Sequence, residues 1–427
     1  MKLVSPERKV PSASRALLTI LALAAFAPVL ITALLILYVH ARYRGRAAGV
    51  RESGIPSFQH TSGVKTMSEI MSFLKTVPFR ASVPTVAATA AYGLMDSVSC
   101  LLGNLRATAG LIFPYPSVFE PLVVESHDGT PVCGLLALQP GNADCPALIV
   151  VHGLFSSKNS QVIQALSLRA FYDWGFHVLA MDLRNFGDSS RFSEAPTSWG
   201  YHESEDVLAV AEYLSNTHRV STVGACGISM GAASVLLAAS RCRLDGPLSG
   251  GVVALNGYSD AERMVESACT FSDRSLESVL RWFVFRFLLS LKTLAGGPRF
   301  FADLRAYARE ISSQYYEASE KELFASGSPA RTVGNIEVPC LVIHALDDFM
   351  VPVDEAYELL AAAVNNPMVD ALIVPTGGHA LYHMSSPSWF HKTLQAFFTY
   401  WAEFGPADSD WTGPPTDSMD TFGNSNN

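Results

Sequence analysis

The amino-acid sequence predicts an α/β fold built on a doubly wound, mostly parallel sheet of eight strands, with a helical cap insertion and an N-terminal transmembrane helix. Between about Phe119 and Phe404, short apolar runs alternate with amphipathic stretches, the pattern of strands joined by helices. Residues 259–333 interrupt this alternation and show no clear strand pattern. Residues Ala16 to Val39 contain no charged side chain. These three observations divide the chain into an apolar N-terminal segment and one large domain.

The predicted strands are short runs rich in β-branched or apolar residues. The eight runs are Phe119 to Glu125, Val132 to Leu138, Ala147 to Val151, His177 to Met181, Val220 to Cys226, Gly251 to Leu255, Cys340 to His344 and Ala371 to Val374. The first two flank the turn sequence Ser126 to Thr130 and are expected to pair as a hairpin. Long amphipathic segments such as Glu203 to Ser215 and Asp354 to Val364 join the later runs, which predicts parallel strands with helices on both faces.

The stretch from Ser259 to Val333 is predicted to form a largely helical cap over the sheet. It contains an apolar and aromatic piece from Val279 to Leu291, within which Trp282 to Leu289 is the most apolar part. Apolar cap helices beside a reactive site would suit an acyl chain. Alternatively, these side chains simply form the core of the cap.

The charge-free segment Ala16 to Val39 is expected to cross a membrane. As a helix it would be about 36 Å long, enough for a hydrocarbon layer of about 30 Å. A cleaved signal peptide is the alternative, but its apolar region would be shorter and would end in small residues, whereas this run ends at Tyr38-Val39-His40. We therefore expect a retained signal anchor and a single-pass membrane protein. Basic residues flank the segment equally, so the side of the membrane that faces the catalytic domain stays open.

The remaining regions lie outside the predicted sheet. Residues 1–15 form an N-terminal flank, and residues 40–118 form a connector that is polar from Gly49 to about Pro78. A second apolar segment, Ala81 to Gly110, either lies on the membrane surface or packs on the catalytic domain as one or two helices. Packing is favoured because Gly93 and Asp96 interrupt any spanning run. Residues 405–427 are rich in Pro, Asp, Ser, Gly and Asn and predict a disordered tail.

Composition excludes several classes of function. The 427 residues include 30 basic and 39 acidic side chains, a net charge of −9, so nucleic acid is not an expected partner. The seven cysteines are scattered without Cys-x-x-Cys spacing, which favours neither a disulfide framework nor a zinc site. Charged residues make up only 16% of the chain, which fits a membrane segment and buried strands.

The sequence Gly227-Ile-Ser-Met-Gly231 predicts a nucleophilic serine. The motif alone is weak, but a predicted strand precedes it and the helix-forming run Ala232 to Ala239 follows it. A strand, sharp turn and helix would expose the hydroxyl of Ser229 above the sheet, with backbone N–H groups of the helix start directed at a developing oxyanion. A glycine-flanked turn with an idle serine is the alternative. Context favours the nucleophile.

A serine nucleophile needs a histidine base and a carboxylate that orients it. Two stretches at predicted strand ends supply candidates, Ala345 to Pro352 with Asp347 and Asp348, and Thr376 to His379. Carboxyl ends of parallel strands are where open α/β sheets build their sites. His383 lies four residues after His379, as in some metal sites, but Gly377 and Gly378 indicate a loop and no third ligand is near, so no metal and no cofactor are expected.

These motifs make the chain resemble the α/β-hydrolase superfamily over residues 119–404. The family's acid commonly stands four residues before a proline, which matches Asp348 and Pro352, and Asp347 remains the alternative. His379 matches the catalytic histidine. The loop Val151 to Phe155 resembles the oxyanion loop, which implies that the N–H groups of Leu154 and Met230 bind the oxyanion.

Two further stretches match supporting parts of the family's site. His152 occupies the place of the loop-supporting histidine, and because it also precedes Ser229 in the chain, a structural role is favoured over a catalytic one. Residues Asp182 to Ser189 resemble the Asp-x-Arg-Gly-x-Gly-x-Ser stretch, with Asn185 where glycine is common. Asparagine tolerates left-handed backbone, so this departure is expected to matter little.

The resemblance implies acyl transfer by a serine hydrolase that cleaves carboxylic esters, including lipid or long-chain acyl esters, with Ser229, Asp348 and His379 as the triad. The expected partners are a small-molecule or lipid ester and the lipid bilayer. A serine peptidase, an acyltransferase and a membrane-tethered interaction protein without turnover remain alternatives. The complete triad argues against the last of these.

Overall fold

The structure is a computed structural model that describes residues 65–81, 93–98, 100, 114–140, 144–270, 275–296 and 301–402. The expected N-terminal flank, the expected membrane anchor from Ala16 to Val39 and the expected tail from residue 405 lie outside these residues. Within them, no helix combines the length and the apolar character that crossing a membrane requires.

An eight-stranded sheet forms the centre of the molecule, and all eight predicted strands belong to it. The strands are β1 Glu120–Glu125, β2 Pro131–Ala137, β3 Cys145–Val151, β4 His177–Met181, β5 Val220–Ile228, β6 Val252–Leu255, β7 Cys340–Ala345 and β8 Val369–Val374. Their order across the sheet is β1-β2-β4-β3-β5-β6-β7-β8. β1 and β2 form the predicted antiparallel hairpin, β2 is antiparallel to β4, and the other neighbours are parallel. The prediction of a mostly parallel sheet is confirmed.

Helices cover both faces of the sheet and also connect its strands. They are α1 Met67–Leu74, α2 Gln161–Tyr172, α3 Tyr201–Thr217, α4 Met230–Ala239, α5 Ala261–Cys269, α6 Leu276–Gly296, α7 Leu304–Tyr307, α8 Glu320–Ser326, α9 Asp354–Ala362, α10 Tyr382–Ser385 and α11 Pro387–Trp401. A π-helical turn, Ala308–Ser312, and a short helix, Ser313–Tyr315, continue from α7.

The central strands are apolar on both faces because each face packs against its own hydrophobic core. In β3, Ile149 and Val151 belong to the core that α3 and α4 cover, whereas Leu148 and Val150 belong to the core on the opposite face, under α2 and α11. A strand that is buried on both sides has no solvent-facing positions, so it appears in the sequence as a continuous apolar run. This is the physical reason why the strand positions could be predicted.

The chain between β6 and β7 is helical and carries no strand in its described residues, 256–270, 275–296 and 301–339. Hydrogen bonds fasten it to loops at the carboxyl ends of β4 and β7, and three of them illustrate the contact. Lys292 Nζ donates to the carbonyl of Asn185 at 2.6 Å, and Arg281 Nε donates to that of Phe349 at 2.6 Å. Ser312 Oγ donates to the carbonyl of Thr197 at 2.7 Å. The insertion therefore lies over the edge of the sheet where the predicted site residues are.

Part of the N-terminal connector packs on the domain. The polar connector expected between residues 49 and 78 contains helix α1, which buries Met67, Ile70, Met71 and Leu74. The hydroxyl of Tyr400 on α11 accepts a hydrogen bond from the backbone N–H of Thr66 at 2.7 Å. Within the second apolar segment, residues 93–98 are helical and pack on the domain, as favoured from the sequence, while much of that segment lies outside the described residues.

A buried ion pair fixes the loop that follows β4. The guanidinium of Arg184 donates to both carboxylate oxygens of Asp206 on α3, at 2.8 and 2.5 Å, and both side chains are fully buried. A further donor of Arg184 reaches Asp128 in the hairpin turn at 2.8 Å. This bidentate geometry holds the loop against α3 and the β1–β2 hairpin.

Replacing Arg184 with methionine, R184M, is expected to lower the free energy of unfolding by about 3–5 kcal/mol, because the carboxylate of Asp206 stays buried without its partner. The measurement is urea unfolding followed by tryptophan fluorescence. The matched control is R191M, which breaks the ion pair with Asp188 in the same loop, where both side chains are 39% exposed. We expect that control to change stability by less than about 1 kcal/mol. Equal losses in the two variants would contradict the prediction.

Candidate active site

Ser229 lies in a sharp turn between β5 and α4. Its backbone adopts φ 56° and ψ −118°, an unfavourable conformation for a residue other than glycine. The glycines on either side are required by close backbone contact. A Cβ added to Gly227 would lie 2.1 Å from the carbonyl oxygen of Gly231, and one added to Gly231 would lie 2.4 Å from that of His152. The turn therefore has the strained strand–turn–helix form that the motif predicts.

The loop after β3 passes directly beside Ser229. A Cβ on Gly153 would lie 2.9 Å from the Cβ of Ser229, so only glycine fits there. Phe155 adopts φ 60°, which turns the loop back toward α2. Leu154 lies between them and lines the cavities on both sides of Ser229. Among the hydrogen bonds of the described residues, the N–H groups of Leu154 and Met230 donate none, so both remain available to an acceptor in these cavities.

Asp348 and His379 meet at the carboxyl ends of β7 and β8. His379 Nδ1 lies 2.8 Å from Oδ2 of the fully buried Asp348 carboxylate. The backbone N–H groups of Met350 and Val351 donate to Oδ1 at 2.8 and 3.1 Å. Burial acts to raise the pKa of Asp348, but the charge and hydrogen bond of His379, with these other contacts, lower it below its usual value. The carboxylate is therefore charged at neutral pH and orients the imidazole.

Asn256 also holds this carboxylate, a role that nothing in the hydrophobic pattern marked. Its Nδ2 donates to Asp348 Oδ2 at 2.7 Å and to the carbonyl of Gly378 at 3.1 Å, which ties the acid to the histidine loop. Asn256 directly follows β6 and adopts φ 50°. The one available signal was its position, a polar residue at the carboxyl end of a buried parallel strand.

Asp347, the alternative acid, accepts hydrogen bonds from the histidine loop rather than from the imidazole. Thr376 Oγ1 donates to its carboxylate at 2.5 Å, and the N–H of Gly378 donates at 2.8 Å. The two neighbouring carboxylates thus serve different groups of the same loop. The structure brings Asp348 to His379.

His152 is a buried neutral side chain that supports the loop. Its Nδ1 donates to the carbonyl of Gly153 at 2.7 Å, and its Nε2 accepts from the N–H of Leu183 at 3.0 Å. Burial lowers its pKa to about 4. His152 therefore has no free nitrogen with which to act as a base, which agrees with the structural role expected for it.

The loop Asp182 to Ser189 is bonded to the chain that follows β3. Lys158 donates its backbone N–H to Asp182 at 2.7 Å and its ammonium to both Asp182 and Asp188. Asn185 stands where the family commonly has glycine, and it adopts a left-handed φ of 68°. His383 lies on α10, and no cluster of three or more metal-binding side chains occurs in the part of the chain that the structure describes.

Two cavities meet at Ser229. The larger has an empty volume of about 800 Å³, partly open to solvent, and is lined by Ser229, His379 and apolar residues of the insertion, among them Val284, Phe285 and Leu288. The smaller, of about 340 Å³, has Ser229, Leu154 and Phe285 in common with it. A serine hydroxyl between two mostly apolar cavities can present a bound carbonyl group with a substituent on each side.

Comparison with known proteins identifies the family of the chain. Residues 148–393 match the model of the alpha/beta hydrolase family. The uncharacterized protein YqkD of Bacillus subtilis is 28% identical over 257 residues, which cover 58% of this chain and 70% of that protein.

Solved structures resemble the fold. The esterase Pf2001 of Pyrococcus furiosus aligns with a TM-score of 0.50 at 17% identity, over 68% of this chain and 97% of that one. An acylaminoacyl peptidase of Pyrococcus horikoshii aligns with a TM-score of 0.46 at 19% identity, over 70% of this chain and 44% of that one. At 17% identity, the likeness to the esterase concerns the fold alone. The family match covers more than half of the chain, and the protein therefore belongs to the alpha/beta hydrolase family.

Proposed function

We propose that this protein is a serine hydrolase that cleaves carboxylic esters with Ser229 as nucleophile, His379 as base and Asp348 as the orienting acid. One observation carries the proposal. Ser229, in its strained turn, lines the same cavity as His379, and His379 is held by a buried, charged Asp348. A nucleophile and a base oriented by a third group, in one cavity, are the parts that nucleophilic catalysis requires.

The proposed reaction follows from the roles of the two imidazole nitrogens. Nδ1 of His379 is engaged by Asp348, which leaves Nε2 to take the proton of Ser229. The serine oxygen attacks the ester carbonyl, and the N–H groups of Leu154 and Met230 stabilise the oxyanion. The alcohol leaves with the proton from His379. Water, activated by the same histidine, then releases the acid from the acyl-enzyme.

The cavity walls support esters with a sizeable apolar part, such as lipid or long-chain acyl esters. Val284, Phe285 and Leu288 from α6 line the larger cavity, and Phe285 also lines the smaller one, where Met264 and Val265 from α5 join it. Apolar area that is removed from water contributes about 25 cal/mol per Å² to binding such a group. The insertion therefore supplies the surface that would bind the substrate.

We also propose that residues 16–39 anchor the enzyme in a lipid bilayer. The support is the 24-residue run without charge, long enough for one helical span. A bilayer would concentrate apolar esters near the catalytic domain. The proposal is independent of the chemistry at Ser229.

Ser229→Ala is expected to lower kcat on a short-chain nitrophenyl ester by at least about 10⁴-fold, because the variant has no nucleophile. Labelling by a fluorophosphonate should disappear as well. The control is Ser234→Ala, which removes a buried hydroxyl from the same helix, where it bonds to the carbonyl of Met230. That variant should keep its activity within a few-fold. Turnover that survives Ser229→Ala would contradict the assignment.

Asp348→Asn is expected to lower kcat by about 10³- to 10⁴-fold, because an amide cannot stabilise the imidazolium and can favour the wrong tautomer. Asp347→Asn retains an acceptor for the histidine loop and should cost less than about tenfold. Steady-state rates of the two variants on one ester give the comparison. A larger loss in Asp347→Asn would reverse the assignment of the acid.

The full-length protein is expected to stay in the membrane pellet after extraction with alkaline carbonate, because a spanning helix resists that treatment. A variant without residues 1–45 should remain in the supernatant and keep ester hydrolysis, since the deletion ends before α1. Fractionation followed by the nitrophenyl ester assay measures both properties. Full-length protein in the supernatant would contradict the anchor.

A further inference from the structure

A carboxylate lines the larger cavity together with its many apolar side chains. Asp96 lies on the helical segment 93–98, which precedes the sheet in the chain and stands outside the matched family region of residues 148–393. Leu94 and Ser97 of the same segment also line the cavity. This wall is therefore built by a part of the chain that is not common to the family model.

The Asp96 carboxylate is held in a fixed position at the start of α2. Ser160 Oγ donates to its Oδ2 at 2.5 Å, and the backbone N–H of Gln161 donates to its Oδ1 at 3.1 Å. Each oxygen accepts one bond and has further acceptor capacity. In the part of the chain that the structure describes, no lysine, arginine or histidine forms an ion pair with Asp96.

The surroundings leave this negative charge poorly compensated. Burial raises the pKa of Asp96 above its usual value by more than its two hydrogen bonds lower it, so the charged form needs a positive partner. The rest of the cavity wall consists largely of apolar side chains, together with small hydroxyl groups, the neutral His152 and the imidazole of His379. A cation that entered the cavity would therefore find one fixed carboxylate among these lining residues.

We propose that Asp96 is a specificity-determining residue and that the enzyme prefers esters that carry an ammonium group on an apolar chain. The chain would lie against Val284, Phe285 and Leu288, and the ammonium would pair with Asp96. This inference rests on the proposed ester hydrolysis and deepens it by naming the substrate class. Asp96 takes no part in the proposed bond-making steps.

The test compares kcat/KM for matched esters, one whose chain ends in dimethylammonium and one whose chain ends in the isosteric isopropyl group. Both are made with the group in the acyl half and, separately, in the alcohol half. The wild-type protein is expected to favour the ammonium ester of at least one pair by about tenfold or more, the size of a charge-assisted hydrogen bond. Asp96→Asn should remove the preference while hydrolysis of the isopropyl esters persists. A purely structural role for Asp96 would lower both rates and leave their ratio unchanged.

The control variant is Asp173→Asn, which makes the same change of charge at the other end of α2, where Asp173 pairs with Arg169. It should retain the preference. Equal kcat/KM values for both pairs in the wild-type protein would overturn the inference and leave ester hydrolysis standing.

A second measurement uses only the wild-type protein and does not depend on ester turnover. Hexylammonium should slow the fluorophosphonate labelling of wild-type Ser229 at concentrations at which hexanol has little effect. If the probe labels the protein but no ester is hydrolysed, the proposed function is wrong. The protection experiment would still test the cation site in that case. Equal protection by the amine and the alcohol would overturn it.

Discussion

The contact between two backbone segments behind Ser229 is the constraint on which the site depends. Gly231 touches the backbone at Val151 and His152, and Gly153 touches Ser229 itself, so no side chain fits between the end of β5 and the loop after β3. This contact sets the left-handed conformation of the serine next to the N–H groups of Leu154 and Met230. The strain of that turn costs about 1–3 kcal/mol, which the largely buried β5 and the fully buried α4 on either side can offset.

The parallel sheet brings together residues that are far apart in the sequence. Ser229, Asn256, Asp348 and His379 each follow the carboxyl end of a different strand, and these four strands are neighbours in the sheet. The buried carboxylate of Asp348 receives donors from two of the other connections, through Asn256 and His379, as well as from its own turn. Burying a charge is costly unless it is paired and hydrogen-bonded, and this shell meets that requirement.

Much of the fold could be predicted because a strand that is buried on both faces appears in the sequence as a continuous apolar run. The motif Gly227 to Gly231 is weak by itself, and the strand before it and the helix after it indicate that it is a nucleophile turn. The resemblance to the family favours Asp348 over Asp347 because Asp348 stands four residues before Pro352, and the structure places Asp348 against His379 and Asp347 against Thr376. Other features depend on contacts that local patterns do not encode. The spacing of Met67, Ile70, Met71 and Leu74 fits a helix face, but eight residues within a polar stretch gave too little signal. The hydrogen bond between Asp96 and Ser160 joins residues that are 64 positions apart, so no local pattern predicts it.

The central claim is that Ser229 carries the acyl group during turnover. Its most direct test is mass spectrometry of protein quenched in acid during steady-state hydrolysis of a slowly deacylated ester, followed by digestion and mapping of the modified peptide. The mechanism predicts a mass increase equal to the acyl group on Ser229, which appears at the rate of the first turnover and decays when substrate is exhausted. Hydrolysis at full rate with no acyl group on Ser229, or with the acyl group on another residue, would contradict it.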